Sequence, residues 1–472
     1  MDREKHNKKH SYNKIDVYKL NDMDKYVNFL IKPIGEAIRT FIKTNVSDDE
    51  IIEQKDKLVN HPELMNLRLV EIFYELYKTS NESLYSIPKF HINNINMIID
   101  YYIKKVIINY EAFYLVNLSD IERRCNDWKL YFPKILPHYA IKSNPDKRIV
   151  SLLQSFGINF DCASMEEIKI ALKCGAKPSQ IIYANPVKSI EYLLFAKEYK
   201  IDLMTFDSIE ELHKIKKNYS KARIILRIKT NDMHSVSKLS FKFGMEKREI
   251  ELAIHECKKL NLNLVGVSFH VGSKTSDIDA FTTALNDSLY VFDLAYNQGI
   301  TLSILDIGGG FTYQTAKEFH SVINQTIDTL FIKNEKYKDT QIISEPGRFF
   351  VETSHTLVLN IIGKKSASES DAQIVKYYLN DGIYGSMNNI ERDSYVVNIL
   401  PVLNKKTNSF PSIFFGPTCD SYDTIANNVL FPLCDINEWV FIKNMGAYTR
   451  AGASQFNGFP NSNCYYYMDD IA

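Results

Sequence analysis

The chain has 472 residues, more than one average domain, which predicts two domains or one large barrel with additions. Lysine plus arginine and aspartate plus glutamate both total 57, so the formal net charge is zero, without the basic excess of a nucleic-acid-binding protein. No run approaches the roughly 18 apolar residues of a membrane span, and no apolar segment follows the charged start. We therefore expect no nucleic-acid or membrane partner, and a small-molecule ligand instead.

Seven cysteines are scattered along the chain, an odd number without a C-x-x-C pair or a zinc-ligand spacing. This usage is typical of reduced thiols, so we expect a cytoplasmic protein without a structural metal.

Residues 1–88 differ in composition from the rest, because they are rich in charge and contain only one glycine, Gly35. Ser47 to Glu50 form a capping-box pattern, and apolar residues recur at helical spacing from Leu64 to Tyr77. We predict an N-terminal extension that is helical or partly disordered.

From residue 113 onwards, short apolar runs alternate with amphipathic stretches, and this alternation predicts parallel strands joined by helices. Eight such runs favour closure into a (β/α)8 barrel over residues 118–355, although an open doubly wound sheet is the alternative. The predicted barrel strands are His138–Ser143, Asn159–Ala163, Ile181–Pro186, Leu203–Asp207, Ile224–Ile228, Leu264–Gly272, Ile304–Phe311 and Ile342–Gly347.

After residue 355 the pattern contains strands without regular helices, which predicts a C-terminal all-β domain over residues 356–472. Its predicted strands are His355–Ile362, Ile374–Leu379, Ser412–Phe415, Trp439–Ile442 and Cys464–Met468.

A lysine in the first barrel run is the first candidate for chemistry, because barrel enzymes place their active site at the carboxyl ends of the strands. Lys142 lies in an apolar run, where desolvation is expected to lower its pKa and leave a nucleophilic amine for a Schiff base. The alternative is a buried ion pair between Lys142 and Asp161, which ends the second run.

The ends of the later strands add a group of residues that suits a flat phosphorylated cofactor. His270 and Ser273 suit ring stacking and phosphate binding, and the glycines 308–310 let backbone N–H groups approach an anion. Glycine and arginine in the turn 344–348 stand where barrels commonly bind phosphate, and Glu345 suits a pyridinium nitrogen. Together with Lys142 these residues predict pyridoxal 5'-phosphate as the cofactor.

The chain resembles the eukaryotic ornithine decarboxylase family, within the alanine-racemase-like class of pyridoxal-phosphate decarboxylases, over residues 89–472. The resemblance rests on ten segments: YAIKSNP (139–145), FDCAS (160–164), IIYANP (181–186), LSFKFG (239–244), GVSFHVGS (266–273), LDIGGGF (305–311), SEPGRFF (344–350), YYLNDGIYGS (377–386), GPTCDSYD (416–423) and NMGAYT (444–449). It implies decarboxylation of ornithine to putrescine, the entry to polyamines, and a segment 89–117 that joins the β domain.

The resemblance also implies a role for each matching residue. Lys142 would carry the cofactor, Glu345 would pair with the pyridine nitrogen, His270 would stack on the ring, and Asp161 and Arg227 would support them. The implied phosphate contacts are Ser273, Gly310, Gly347, Arg348 and Tyr448.

The resemblance further implies a head-to-tail homodimer with shared active sites. Cys419 would act across the interface as the acid that reprotonates the substrate, and Lys242 and Asp423 would form a salt bridge between subunits. The implied residues for the distal ammonium of the substrate are Asp393, Asp420 and Tyr384. An antizyme-like regulator is a further implied partner.

Two departures from the family pattern bear on these expectations: Ser143 replaces a cysteine, and Arg392 replaces a tyrosine before Asp393. If Arg392 faces the pocket, its charge opposes a cationic substrate by about 1 kcal/mol or more. The alternatives are therefore a decarboxylase of lysine, arginine or diaminopimelate, or a non-catalytic protein that resembles antizyme inhibitor. Asp420, where diaminopimelate enzymes carry glutamate, favours a terminal amine.

Overall fold

The computed structural model describes residues 87–90, 94–105, 110–369, 372–403 and 408–469. Residues 87–472 form one compact unit. The predicted N-terminal extension, residues 1–88, lies outside the described residues except for its last two positions. In chain order the unit begins with strand β1 (Lys89–Phe90), helix α1 (Ile95–Lys105), strand β2 (Phe113–Asn117) and helix α2 (Leu118–Tyr131).

Eight parallel strands follow and close into a barrel, which confirms the predicted (β/α)8 architecture. The strands are β3 (Ile135–Ala140), β4 (Asn159–Cys162), β5 (Ile181–Tyr183), β6 (Leu203–Phe206), β7 (Arg223–Arg227), β8 (Asn263–Ser268), β9 (Ile304–Asp306) and β10 (Gln341–Ser344). The barrel closes where β10 pairs with β3, through the register Ile342 opposite Ile135.

A helix follows each barrel strand. These helices are α3 (Lys147–Ser155), α4 (Met165–Lys173), α5 (Ile190–Glu198), α6 (Ile209–Asn218), α7 (Lys247–Lys259), α8 (Ile278–Asn297), α9 (Tyr313–Ile327) and the short α10 (Arg348–Val351). Several begin at side-chain caps: the Ser164 hydroxyl accepts from Glu167 N, and the Ser208 hydroxyl accepts from Glu211 N. Such caps satisfy backbone donors that the helix leaves unpaired at its start.

Inside the barrel, one layer of branched apolar side chains fills the axis below the site. The layer makes the barrel a packed core rather than a channel. Its members are Ile182, Leu203, Ile225, Val265, Ile304 and Ile343.

All eight barrel strands end earlier than the sequence predicted, and two of these early ends shape the site. β3 ends at Ala140, opposite Asp161, and the chain turns through a 3₁₀ segment over Ile141–Ser143, so Lys142 stands above the strand rather than within it. β9 ends at Asp306, because Gly308 adopts a φ of +64° that a strand does not accommodate.

A nine-stranded sheet forms the second layer of the unit, and it confirms the predicted β domain. Its strands are β1, β2, β11 (His355–Glu369), β12 (Ala372–Leu379), β13 (Leu400–Pro401), β14 (Ser409–Phe415), β15 (Thr424–Pro432), β16 (Trp439–Lys443) and β17 (Asn463–Asp469). β2 pairs with β11 and β17, so a strand that precedes the barrel in sequence lies within the sheet that follows it.

The sequence analysis missed the short β13 and the longer β15 of this sheet. Asn427 and Asn428 interrupt the apolar pattern of β15, and Asn428 has a φ of +54° within the strand. The described part of the domain also contains a short helix, α11 (Asn389–Asp393), which carries Asp393.

Gly266 in β8 gives a test of barrel packing, because a Cβ there would overlap the carbonyl oxygen of Ile304 on the neighbouring strand. We expect Gly266→Ala to lower the free energy of unfolding by about 1–3 kcal/mol, the usual cost of overpacking. Gly363→Ala is the control, because its Cβ would meet only the side chain of Tyr378, at 3.3 Å. Urea denaturation measures both, and equal stability of the two variants would contradict the tight β8–β9 contact.

Candidate active site at the barrel mouth

The carboxyl ends of the barrel strands bring charged residues from distant parts of the sequence to one mouth. Lys142 follows β3, Asp161 lies in β4, Arg227 ends β7, His270 follows β8 and Glu345 follows β10. Parallel strands end at the same rim of a closed barrel, so the predicted strand-end residues gather there.

Lys142 and Asp161 form an ion pair at this mouth, with 2.5 Å between Lys142 Nζ and Asp161 Oδ2. The Lys142 side chain is 42% exposed, whereas that of Asp161 is 1% exposed. Burial of the ammonium lowers its pKa, but Asp161 and then Glu345 outweigh this effect and raise the pKa of Lys142 above its usual value. The expected lowering of this pKa is therefore wrong for the protein without its cofactor, because two carboxyls surround the amine.

A second lysine, Lys188, shows the effect that was expected at Lys142. Burial lowers the pKa of Lys188 to about 8. Its Nζ donates to the carbonyl oxygens of Asn185, Pro186 and Thr205 and lies 3.0 Å from Glu211 Oε1. Because its three N–H donors are all used and it is fully buried, Lys188 is structural, and Lys142 remains the lysine of the mouth that a ligand can reach.

Glu345 stands beside further carboxyl groups at the centre of the mouth. Burial, Asp306 and Asp161 raise the pKa of Glu345 well above the usual value, against the opposing effects of Lys142 and Arg227. Glu345 Oε1 is buried without a hydrogen-bond partner among the described residues. Such a carboxyl suits a ligand that offers it a proton donor, and a protonated pyridine nitrogen is one.

His270 presents a neutral ring to the mouth. Burial, Arg227 and Lys142 lower the pKa of His270 well below its usual value. Its Nδ1 accepts from Gly272 N at 3.0 Å, so the ring proton belongs on Nε2. Arg227 is held beside the Phe243 ring, with 5.1 Å from its Cζ to the centroid. A neutral imidazole suits stacking on a flat ring.

Glycine turns form a cradle beside the lysine. Gly310 has a φ of +98°, and a Cβ there would overlap the carbonyl oxygen of Gly272, whereas a Cβ on Gly347 would lie 2.9 Å from Ser143 Cβ. The N–H groups of Gly310 and Gly347 make no hydrogen bond within the described chain. Free amides in a cradle without side chains fit a phosphate group.

Ser273 and Tyr448 stand at the rim of this cradle. The backbone of Ser273 pairs with that of Ser237, from the loop between β7 and α7. Tyr448 N donates to Ser143 O at 2.8 Å, and its ring centroid lies 5.1 Å from Arg348 Cζ. The predicted phosphate residues therefore converge.

Arg348 links the cradle to Asp393, a contact that the sequence did not predict. Its Nη2 lies 2.5 Å from Asp393 Oδ2, its Nη1 lies 3.1 Å from Glu352 Oε1, and its Nε is a buried donor without a partner among the described residues. Ser237 Oγ donates to the other oxygen of Asp393. The predicted phosphate ligand and the predicted substrate carboxylate are thus direct neighbours.

Arg392 does not share this environment. Its side chain is exposed, whereas Asp393 is buried against Arg348. A Cβ built on Gly452 would lie 2.7 Å from Arg392 Nη1, so the guanidinium lies close to Gly452. The guanidinium of Arg392 therefore lies against the 450–452 turn, away from the Asp393–Arg348 contact.

Cys419, Asp420 and Tyr384 form a second group, at a different place in the chain. Tyr384 donates to Asp420 and stacks on Phe456 at 4.4 Å between centroids. Cys419 is exposed, and its backbone N donates to Asn457 Oδ1 at 3.0 Å. No hydrogen bond or ion pair among the described residues joins this group to Lys142 or its neighbours.

Lys242 and Asp423, the predicted intersubunit pair, are separate within one chain. Asp423 is 1% exposed and accepts from Ile383 N and from the backbone and hydroxyl of Thr418. Lys242 is exposed, with its Nζ 4.9 Å from the centroid of the Phe243 ring. Their pairing across an interface stays a prediction.

The described residues contain neither a group of side chains suited to a metal ion nor a helix long and apolar enough to cross a membrane. The mouth combines a parallel barrel, a reachable lysine, a buried carboxyl and a phosphate cradle, and these features define the class of barrel enzymes that use pyridoxal phosphate.

Comparison with known proteins gives the family. Residues 118–352 match the pyridoxal binding domain of the pyridoxal-dependent decarboxylases. Ornithine decarboxylase of Schizosaccharomyces pombe is 40% identical over 371 residues, 76% of this chain and 84% of that protein. Antizyme inhibitor 2 of Xenopus laevis is 38% identical over 379 residues, 77% and 82% of the two chains.

A solved structure agrees with this relationship. The arginine decarboxylase of Paramecium bursaria Chlorella virus, bound to agmatine, superimposes with a TM-score of 0.75 at 34% identity, covering 79% of this chain and all of that one. The chain belongs to the pyridoxal-dependent decarboxylase family that includes the eukaryotic ornithine decarboxylases.

The Lys142–Asp161 pair can be tested in the protein without cofactor. In Asp161→Asn the ammonium keeps a hydrogen-bond acceptor but loses the nearest negative charge, so we expect the pKa of Lys142 to fall by about one unit or more. Reductive ¹³C-methylation followed by an NMR pH titration measures this pKa. Asp293→Asn, which removes a carboxylate paired with Lys336 on the outer surface, is the control. An unchanged pKa in Asp161→Asn would exclude the pair as its cause.

Proposed function

We propose that this protein decarboxylates L-ornithine to putrescine and CO₂ with pyridoxal 5'-phosphate, the entry step of polyamine biosynthesis. The observation that carries the proposal is the reachable Lys142 beside Asp161 and Glu345 at the barrel mouth. The 40% identity to an ornithine decarboxylase supports the substrate.

The residues that would hold the cofactor all lie at this mouth. Lys142 would bind its carbonyl carbon, Glu345 would face the pyridine nitrogen, and His270 would stack on the ring. The phosphate contacts would be Ser273, Gly310, Gly347, Arg348 and Tyr448. When bound, pyridoxal phosphate withdraws electrons from the Cα–carboxylate bond of an amino acid, so that CO₂ can leave.

Asp161 controls the charge of the lysine. The amine of Lys142 must lose a proton before it can attack a carbonyl group, and Asp161 is the nearest acceptor, with Oδ2 at 2.5 Å. A free Lys142 amine would regain a proton, and Asp161 would stabilise the resulting ammonium. Arg227 and Glu345 keep the remaining charge of the mouth balanced.

The substrate pocket would recognise a terminal ammonium with Asp393 and Asp420, assisted by Tyr384. Two carboxylates attract a cation and oppose a distal carboxylate, so the arrangement disfavours diaminopimelate. The position of the Arg392 guanidinium against the 450–452 turn supports a pocket that its charge does not oppose. Lysine and arginine differ from ornithine in length and head group, and they are the alternative substrates.

Cys419 would act from a second copy of the chain, as the acid that delivers a proton to Cα after CO₂ leaves. The proposal is supported by its exposed thiol and by its separation from Lys142 within one chain. A homodimer with shared sites would bring Cys419 and Asp420 of one subunit to the lysine of the other, with Lys242 and Asp423 at the interface.

A protein of another class, a non-catalytic relative of antizyme inhibitor, is the second candidate, because antizyme inhibitor 2 is a 38% identical relative. Against it stand Lys142, Asp161, His270, Glu345 and Arg348, which are all present and converge at the mouth. The same relative supports an antizyme-like regulator as a partner. An odd number of cysteines, seven, without a C-x-x-C pair supports a reducing, cytoplasmic setting.

Release of CO₂ from ornithine, lysine and arginine tests the activity. We expect ornithine to be the best substrate, and Lys142→Ala to lose activity by about a thousandfold or more, because it removes the covalent attachment. Lys188→Ala is no suitable control, because Lys188 is buried, so Lys336→Ala on the surface serves instead. Preference for lysine would correct the substrate alone, and full activity of Lys142→Ala would refute the proposed function.

Mixing two inactive variants tests the shared site. Lys142→Ala and Cys419→Ala place their defects in different subunits of each site, so a mixed dimer has one intact site, and we expect about a quarter of wild-type activity by random pairing. Exchange of subunits is verified with differently tagged chains. Exchange without recovered activity would show that Cys419 acts within its own chain.

A further inference from the structure

Asp306 is a buried carboxyl at the barrel mouth to which no role has been assigned above. It ends β9, two residues before Gly308, and is fully buried. Its Oδ1 accepts from Gly308 N at 2.9 Å, which fixes the start of the cradle that Gly310 completes. One oxygen of Asp306 is thus engaged with the backbone.

The neighbouring strand brings Glu345 close to Asp306, because Asp306 lies opposite Ile343 on β10 and Glu345 N donates to Gly308 O at 2.7 Å. Asp306 Oδ2 and Glu345 Oε1 are both buried without a hydrogen-bond partner among the described residues, and the nearby Asp306 raises the pKa of Glu345. Ionised carboxylates are acceptors only, so these two oxygens can bond to each other only if a proton lies between them.

We propose that Asp306 is a positioning residue of the cofactor site, which holds Glu345 toward the barrel axis by sharing one proton with it. The inference rests on the proposed role of Glu345 as the partner of the pyridine nitrogen. The shared proton is taken from solvent when the cofactor-free mouth assembles, so the pair carries one negative charge rather than two.

The charges around the pair support a single shared proton. Lys142 after β3 and Arg227 at the end of β7 face it as cations, and His270 after β8 is neutral. The surrounding carboxylates are Asp161 on β4, whose Oδ2 is paired with Lys142; Asp207 after β6, which accepts from Gly244 N; and Glu167 on α4, which accepts from Ala163 N. Two cations cannot neutralise Asp161 and two further buried charges, so one carboxyl takes a proton.

The protonation follows the expected direction at both carboxyls. Burial, the largest cause, raises the pKa of Asp306 to about 7, and burial and Asp306 raise that of Glu345. Between the usual aspartate value of 3.8 and this folded value, the folded protein binds more protons than the unfolded chain. Stability therefore falls as the pH rises through this window, by linkage.

The variant Asp306→Asn keeps the hydrogen-bonding geometry of Asp306 but removes its ability to share a proton as a carboxyl. The amide can still accept from Gly308 N and donate to Glu345, but it cannot ionise. Glu256→Gln, the same change at a buried carboxyl of the outer helix α7, is the matched control. Asp306→Ala removes both the hydrogen bond and the carboxyl.

Infrared spectroscopy of the full-length protein after cofactor removal provides the direct test. At neutral pH we expect the carbonyl band of a protonated carboxylic acid in the wild type and in Glu256→Gln, and its loss in Asp306→Asn and in Glu345→Gln. Absence of the band from the wild type, or its persistence in Asp306→Asn, would overturn the proposal.

Affinity for pyridoxal phosphate, measured by fluorescence titration, tests the positioning. We expect Asp306→Ala to weaken binding by about tenfold or more, the scale of a hydrogen bond to a charged group, and Asp306→Asn to recover most of it. Unchanged affinity in Asp306→Ala would exclude a positioning role. If Glu345→Gln binds as tightly as the wild type, the assigned role of Glu345 fails, while the infrared band still decides the shared proton.

Melting temperatures supply a third readout. Relative to the wild type, Asp306→Asn is expected to gain stability as the pH rises from about 4 to about 7, because it lacks the carboxyl that resists ionisation. A pH-independent difference between the two proteins would contradict a raised pKa at this position.

Discussion

The charge balance at the barrel mouth is the constraint on which the site depends. The ends of parallel strands converge there whatever residues they carry, and this chain places three carboxyls, from Asp161, Asp306 and Glu345, against the cations of Lys142 and Arg227. Buried charges are unfavourable unless they are paired. The Lys142–Asp161 ion pair joins one of the carboxylates to one of the cations. The distance of 2.5 Å between Nζ and Oδ2 holds the lysine where a ligand can reach it.

That pair also explains why the lysine is more basic than its apolar sequence context indicates. A hydrophobic run lowers the pKa of an amine only if the folded surroundings are apolar, whereas here the neighbouring strand supplies a carboxylate. The lysine is therefore protonated in the cofactor-free protein and must give up its proton to react. At Lys188, which donates mainly to carbonyl oxygens, the effect of burial is larger than that of the nearby carboxylate, so its pKa is lowered.

The β domain completes the mouth from the other side. Asn144 donates to Gly446 O at 3.0 Å, and Tyr448 donates its backbone N–H to Ser143 O, so the two residues that follow Lys142 are tied to the segment after β16. Arg348 extends this connection through its ion pair with Asp393 on α11. Residues separated by up to hundreds of positions thereby share one surface, and Arg348 joins the cradle to Asp393.

The sequence by itself determined the barrel, the β domain and the rim residues, because the alternation of apolar runs with helices and the residues that end each strand are local features. It did not determine the sign of the pKa shift at Lys142, the contact between Arg348 and Asp393, or the partnership of Asp306 with Glu345. The position of Asp306 shortly before three glycines was the sequence signal that could have indicated a role at the mouth. Each of these properties depends on which strands become neighbours when β10 pairs with β3, and on the burial that follows. Only the tertiary structure decides these electrostatic effects, because they depend on distances between groups that the chain brings together from far apart.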